Sequence, residues 1–203
     1  MAQQKVKVCG MREAENIREV EALGVDLMGF IFWPKSSRYV SERPDYLPTK
    51  CKRVGVFVDE NIAQVKAIAN EYSLDYIQLH GKENTDYVKT LEGYHLIKAF
   101  NIATPEDFKA CQAYEGLVDF FLFDTKGKSV GGNGVKFDWS VLSAYQGDTP
   151  FLLSGGISPD DAASVRAIHH PKFAGVDLNS RFEIEPALKN VAKMKDFLEG
   201  LKD

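Results

Sequence analysis

The chain has 203 residues, 44% hydrophobic and 27% charged, which is enough for one well-filled domain over residues 1–203 and ordinary for a soluble globular protein. With 25 Lys and Arg against 29 Asp and Glu the formal charge is −4, so there is no general basic field to attract nucleic acid and an anionic ligand needs local capture. No charged leader with an apolar run and cleavage site opens the chain, and no stretch is long and uncharged enough to span a bilayer, so a cytoplasmic protein without membrane partners is expected.

Short runs rich in β-branched and aromatic residues alternate with longer helical patterns, the signal for βα units and a parallel sheet. In chain order the spacing predicts a strand over 5–9, a helix over 13–23 and a strand over 27–32. The connection 33–49 carries Pro34, Pro44 and Pro48 and allows only a short helix. Then come strands over 53–58, 76–79, 95–100 and 120–123, with helices over 61–72, 84–91 and 105–113 between and after the first three. The chain closes with a helix over 138–145, a strand over 151–153, a helix over 159–168, a strand over 173–177 and a helix over 186–198. Thr104-Pro105-Glu106 and Ser158-Pro159-Asp160 each place a capping hydroxyl before a proline at the first helical position. Eight strands with intervening helices predict an α/β fold, a single (β/α)8 TIM barrel.

In such a barrel, residues at the carboxyl ends of strands line the mouth where chemistry is done. Cys9 ends the first strand and Asp124 follows the sixth, which makes them a candidate base and acid. Alternation puts Lys7 on the face of Cys9, Gln78 on that of His80 and Leu122 on that of Asp124. A Lys7 ammonium beside Cys9 is expected to favour the thiolate, whose ordinary pKa of about 8.5 leaves the thiol mostly protonated at neutral pH. Leu153-Ser154-Gly155-Gly156 and Gly175-Val176-Asp177-Leu178-Asn179-Ser180 end the last two strands, where barrels hold phosphate because glycine lets backbone N–H groups approach. Gly131-Gly132-Asn133-Gly134, leading into Phe137-Asp138-Trp139, suits a cover that excludes water. Arg38, after Trp33 and Pro34, suits an anion anchor, since a guanidinium matches a carboxylate with two parallel hydrogen bonds. Glu183 to Glu185 reads as a solvated turn, and Trp33 as packing. Cys9, Cys51 and Cys111 lack C-x-x-C spacing and the four histidines lack ligand spacing on a helix face, so no metal site is expected.

Taken in order, Val8-Cys9-Gly10-Met11, Gly29-Phe30-Ile31-Phe32 with Lys35-Ser36-Ser37-Arg38-Tyr39-Val40, Gly55-Val56-Phe57-Val58, Gln78-Leu79-His80-Gly81, Phe123-Asp124-Thr125, Gly131 to Gly134, Ser154-Gly155-Gly156-Ile157 and Gly175-Val176-Asp177 span nearly the whole chain. The set resembles the phosphoribosylanthranilate isomerase family. That resemblance implies the Amadori rearrangement of N-(5-phosphoribosyl)anthranilate to 1-(2-carboxyphenylamino)-1-deoxyribulose 5-phosphate in tryptophan biosynthesis, on a small phosphorylated aminosugar and without a cofactor. It implies Cys9 as general base and Asp124 as general acid, with Arg38 facing the anthranilate carboxylate. The last two loops, at Gly155, Gly156, Asn179 and Ser180, become the phosphate site; Gln78, His80 and Asp177 are expected as further substrate contacts, with a satisfied polar cluster beneath the site as the alternative for Gln78 and His80. Where the family usually reads Ser-Ser-Gly-Val-Glu after the eighth strand, this chain reads Asn179-Ser180-Arg181-Phe182-Glu183, so a bulky cation replaces a glycine; Asn133 stands where threonine is common. Another phosphosugar barrel enzyme would want a catalytic Lys and Glu pair or metal-binding His and Asp, neither of which is evident, and a non-catalytic phosphate-binding barrel would need the loops but not Cys9 with Asp124. Barrels of this size occur as monomers or homodimers.

Overall fold

Eight runs of Val, Ile, Leu and Phe, too short for helices and buried along most of their length, leave hydrogen-bonding edges that are satisfied only by closure. In the computed structural model, which describes residues 4–125 and 139–202, they form β1 (Lys5–Cys9), β2 (Leu27–Ile31), β3 (Lys52–Phe57), β4 (Tyr76–Leu79), β5 (His95–Asn101), β6 (Phe120–Asp124), β7 (Phe151–Ser154) and β8 (Phe173–Leu178). The strands are parallel and pair in chain order, and β8 returns to β1 with Lys5 opposite Gly175 and Lys7 opposite Asp177, closing the barrel. Each strand lies within one residue of its expected bounds. The glycine-rich Gly131 to Gly134 segment, with Phe137 and Asp138, falls outside the described residues.

Helices α1 (Ala14–Ala22), α2 (Ile62–Glu71), α3 (Thr85–Lys89), α4 (Ala162–Arg166) and α5 (Val191–Gly200) pack outside the strands. Val65 and Ala69 bury one stripe of α2 at the four-residue spacing that a helix needs. Asn61, Asn84 and Asn190 cap α2, α3 and α5 by accepting from backbone N–H groups two or three residues on. Segment 105–113, expected as an α-helix, winds instead as a 3-10 helix over Pro105–Tyr114. Its buried residues, Phe108 and Cys111, stand three apart, which matches three residues per turn rather than 3.6. The described part of 138–145 is likewise a 3-10 helix, Trp139–Ala144, and 159–168 begins with a 3-10 turn before α4.

The last expected helix begins later than its proline suggested. Residues 183–189 form an antiparallel hairpin of β9 (Glu183–Glu185) and β10 (Leu188–Lys189), and α5 starts only at Val191. Pro186 opens the two-residue turn and Ala187 follows with φ of 72°, the left-handed position usually given to glycine. Asn16 of α1 fastens this hairpin to the barrel: its Nδ2 donates to the Lys189 carbonyl at 2.9 Å and its Oδ1 accepts from the Lys189 N–H at 2.8 Å. An unpaired buried polar group costs about 1–3 kcal/mol, so Asn16→Ala should lower stability by about 2–4 kcal/mol in denaturant unfolding. A loss under about 0.5 kcal/mol would mean that the hairpin is held by other contacts.

Inside the barrel, Leu27, Val54, Ile97, Ala99 and Leu122, packed with Tyr76 and Phe120, close the end nearest the strand N-termini. Above that apolar plug the alternation brings in polar groups: Lys7, Gln78, Ser154 and Asp177 are all buried. The larger apolar core lies between the strands and the helices, with Phe121, Phe123, Phe151 and Tyr145 stacked edge to face or tilted against one another. A dry floor beneath a polar layer leaves the C-terminal ends of the strands as the open end.

Candidate active site

At that end a cavity of about 450 Å³ is lined by residues from all parts of the chain. Cys9, Arg38, Gln78, His80, Asp124, Gly155, Gly156, Asp177, Asn179 and Ser180 all line it, so the expected acid, base, substrate contacts and phosphate loops come to one place, with Lys7 buried beneath them. The walls differ. Ile31, Trp33, Val56 and Val58 make one side apolar, next to Arg38, while the β7 and β8 loops with Arg181 make the other side polar. Trp33, 36% exposed, is thus a wall of the mouth and not core packing.

Cys9 closes β1 opposite Gly29 of β2, and a Cβ on Gly29 would sit 2.8 Å from the sulfur. Only a residue without a side chain leaves the thiol its space there. Burial pushes the Cys9 thiol above its ordinary pKa; the Lys7 ammonium opposes this, the Asp177 carboxylate adds to it, and Lys189 opposes it again. Lys7 is fully buried and donates to Asp177 Oδ1 at 2.8 Å, while Ser154 Oγ donates to Asp177 Oδ2 at 3.1 Å. Burial acts against the Lys7 charge, yet Asp177 and Cys9 together raise its pKa, so the ammonium persists under the thiol.

Asp124 ends β6, level with Asn101 of β5 and Ser154 of β7. Gly155, at φ of 92°, makes way for it: a Cβ there would meet Asp124 Oδ1 at 2.5 Å. His80 Nε2 lies 3.9 Å from Asp124 Oδ2, and Gln78 Nε2 lies 2.9 Å from His80 Nδ1. With the Gln78 amide donating, the ring accepts at Nδ1 and carries its hydrogen on Nε2, facing the carboxylate. The turn bearing His80 is braced from outside by the buried pair Lys98 and Glu83. Lys98 donates to the Gly81 carbonyl at 2.8 Å, and Glu83 accepts from the Asp59 and Gly81 N–H groups.

Sequence reading missed the partner of Arg38. Glu183, expected in a solvated turn, is 4% exposed at its side chain and accepts from Arg38 Nε at 2.8 Å and Nη2 at 2.5 Å. It also accepts from Lys189 Nζ, which in turn donates to Asn179 Oδ1 at 2.8 Å. Burial works against the Glu183 charge, but Arg38 and Lys189 hold it below the usual carboxylate range. Burial lowers the Lys189 pKa, and the hydrogen bond from Arg38 to Glu183 raises that of Arg38. One carboxylate thereby fixes two cations beside Cys9. The alternation through Glu183-Ile184-Glu185 before Pro186 suits a short strand but would turn Ile184 inward, whereas Ile184 is 67% exposed and Glu183 is buried, so it did not mark Glu183.

A larger cavity, about 610 Å³, opens at the opposite end of the barrel around Glu21, Asp26, Lys52 and Asp75. Its charges are already used in holding the fold: Lys52 pairs with Asp75 at 2.8 Å, Asp26 accepts from the Val6 N–H, and Glu21 accepts from Tyr46 and from two backbone N–H groups. Its thiol, Cys51, is pushed up to about 12 by burial and by the Glu21 and Asp75 carboxylates, so it offers no base at neutral pH.

Known proteins resemble this chain along nearly its whole length. The family described as PRAI, N-(5'phosphoribosyl)anthranilate (PRA) isomerase, matches residues 6–200. The N-(5'-phosphoribosyl)anthranilate isomerase of Parabacteroides distasonis is 52% identical over 204 residues, covering 97% of this chain and 92% of the relative. The crystal structure of phosphoribosyl anthranilate isomerase from Thermotoga maritima is similar at a TM-score of 0.83 and 30% identity, over 98% of this chain and 99% of that one. A phosphoribosyl anthranilate isomerase in complex with reduced 1-(o-carboxyphenylamino)-1-deoxyribulose 5-phosphate gives 0.81 at 29% identity over the same shares. Because the match runs from β1 to α5 and one such relative shares about half of all residues, the chain belongs to the N-(5'-phosphoribosyl)anthranilate isomerase family and is an isomerase.

Proposed function

We propose that Cys9 and Asp124 carry out the isomerisation of N-(5-phosphoribosyl)anthranilate, with Cys9 as general base and Asp124 as general acid. The observation that carries this assignment is their convergence on one cavity from β1 and β6, each beside a glycine that leaves it room. The cavity suits a molecule with two unlike ends. Its aromatic ring lies along Ile31, Trp33 and Val56 with its carboxylate toward Arg38, and its phosphate lies against Gly155, Gly156, Asn179 and Ser180. The sugar then spans the space between Cys9 and Asp124, with Gln78, His80 and Asp177 around it.

Asp124 gives its proton to the ring oxygen as the bond from that oxygen to C1 breaks, and the electron pair of the anilino nitrogen forms the C1 iminium. The iminium acidifies the C2 hydrogen, which Cys9 thiolate removes, leaving an enolamine. Loss of the enol proton and protonation of C1 give the ketone, and the two side chains regain their starting states through these transfers. An acid and a base placed within hydrogen-bond reach each contribute about 100-fold to 10,000-fold. The raised thiol pKa means that little thiolate is present at neutral pH, but that thiolate is the stronger base.

The test is consumption of N-(5-phosphoribosyl)anthranilate by the purified protein, followed by the fluorescence of its anthranilate group. Turnover saturating at micromolar to millimolar substrate is expected. No turnover of this compound, together with activity on a different phosphosugar, would overturn the reading.

A further inference from the structure

Two arginines line the cavity, and they stand in different circumstances. Arg38 is held by Glu183, whereas Arg181, at the polar end, is exposed and makes no ion pair among the described residues. It sits in the short turn Ser180–Phe182, whose middle residue shares the cavity wall with Gly155, Gly156 and Ser180. The two glycines take φ of 92° and 71°, and none of the described residues comes within 4 Å of where a Gly156 side chain would begin, its chain neighbours apart. The wall beside the arginine is therefore open backbone, with room for a group as large as a phosphate. A guanidinium without an ion pair among the described residues, on such a wall in a chain of net negative charge, is a local anion trap able to give two parallel hydrogen bonds to phosphate oxygens.

We propose that Arg181 is a specificity-determining residue that binds the substrate's phosphate through its guanidinium, adding a side-chain cation to the backbone contacts of the β7 and β8 loops. This rests on the isomerase reading above, because the anion it binds is the one that places the sugar under Cys9 and Asp124. Arg181 touches the end of the substrate remote from the reacting carbons, so its contact is the same in the ground and transition states. Such uniform binding appears in KM and not in kcat.

The experiment compares wild type, Arg181→Gln and Arg181→Lys in steady-state turnover of N-(5-phosphoribosyl)anthranilate and in competitive inhibition by inorganic phosphate, each at low and high salt. Arg181→Gln should raise KM and the phosphate inhibition constant by about tenfold, with kcat changed less than about twofold. Arg181→Lys should recover part of both, and the salt dependence of kcat/KM should weaken in the Gln variant. KM and phosphate inhibition unchanged in Arg181→Gln, with wild type turning over, would overturn this role alone. A wild type that does not turn the compound over would overturn the isomerase reading and this proposal with it.

Discussion

Replacing Cys9 with alanine should lower kcat by about 1,000-fold or more while leaving affinity for the reduced product analogue within about threefold. The sulfur is buried and makes up a small part of the cavity wall, so its loss removes the base without disturbing Arg38, Trp33 or the phosphate loops. Asp124→Asn should behave the same way, since the amide keeps the shape beside Gly155 and His80 but cannot give up a proton as a carboxyl does. The double variant should be little worse than either single one, because acid and base serve one sequence of bond changes. Turnover of either variant at a tenth of the wild-type rate, with folding intact, would remove that residue from the chemistry. A non-catalytic phosphate-binding barrel would have no turnover for these changes to abolish.

The second large effect is on pH dependence. Four charged groups bear on the thiol: Lys7 and Lys189 favour the thiolate, Asp177 opposes it, and Arg38 interacts with it across the cavity. Lys7→Met removes a cation and leaves the Asp177 anion without its ammonium, and both changes push the Cys9 pKa further up. The limb of the kcat/KM profile that follows Cys9 deprotonation should therefore move to higher pH, and kcat/KM at neutral pH should fall about tenfold or more. Asp177→Asn removes the opposing anion, so its limb should move to lower pH. The position of the limb is the readout, since Asp177 also lines the cavity and its loss lowers the height of the profile as well. Breaking this buried pair from either side should cost about 3–5 kcal/mol of stability, and the profiles have to be taken where the variants remain folded. A limb that does not move in Lys7→Met would take Lys7 out of the account.

The barrel was legible because each strand is a compact apolar run between helical patterns, and a period of two told which side chains point inward. That same period placed Lys7 under Cys9 and Gln78 under His80: Gln78 and His80 line the cavity, and Lys7 is buried beneath it. What was not legible depended on partners distant in sequence. Lys7 reads as a lone cation near Cys9, but it is 170 residues from Asp177, the carboxylate that holds it. Arg38 reads as a free anchor, but Glu183, 145 residues away, already holds its guanidinium. The hairpin that carries Glu183 was hidden by Pro186, which suits the first position of a helix as well as the second position of a turn. The 3-10 segment at Pro105–Tyr114 was hidden because capping residues mark where a helix starts and say nothing of its pitch.

The central claim is that one small molecule lies across the barrel mouth with its reacting carbons between a sulfur and a carboxyl. Its most direct test is a crystal structure of this protein with reduced 1-(o-carboxyphenylamino)-1-deoxyribulose 5-phosphate. The predicted result places the phosphate against Gly155, Gly156 and Arg181, the benzoate toward Arg38 and Trp33, and Cys9 Sγ about 3.5 Å from C2 of the sugar chain. The ligand bound in the reverse sense, or with Cys9 Sγ turned away from C2, would contradict it.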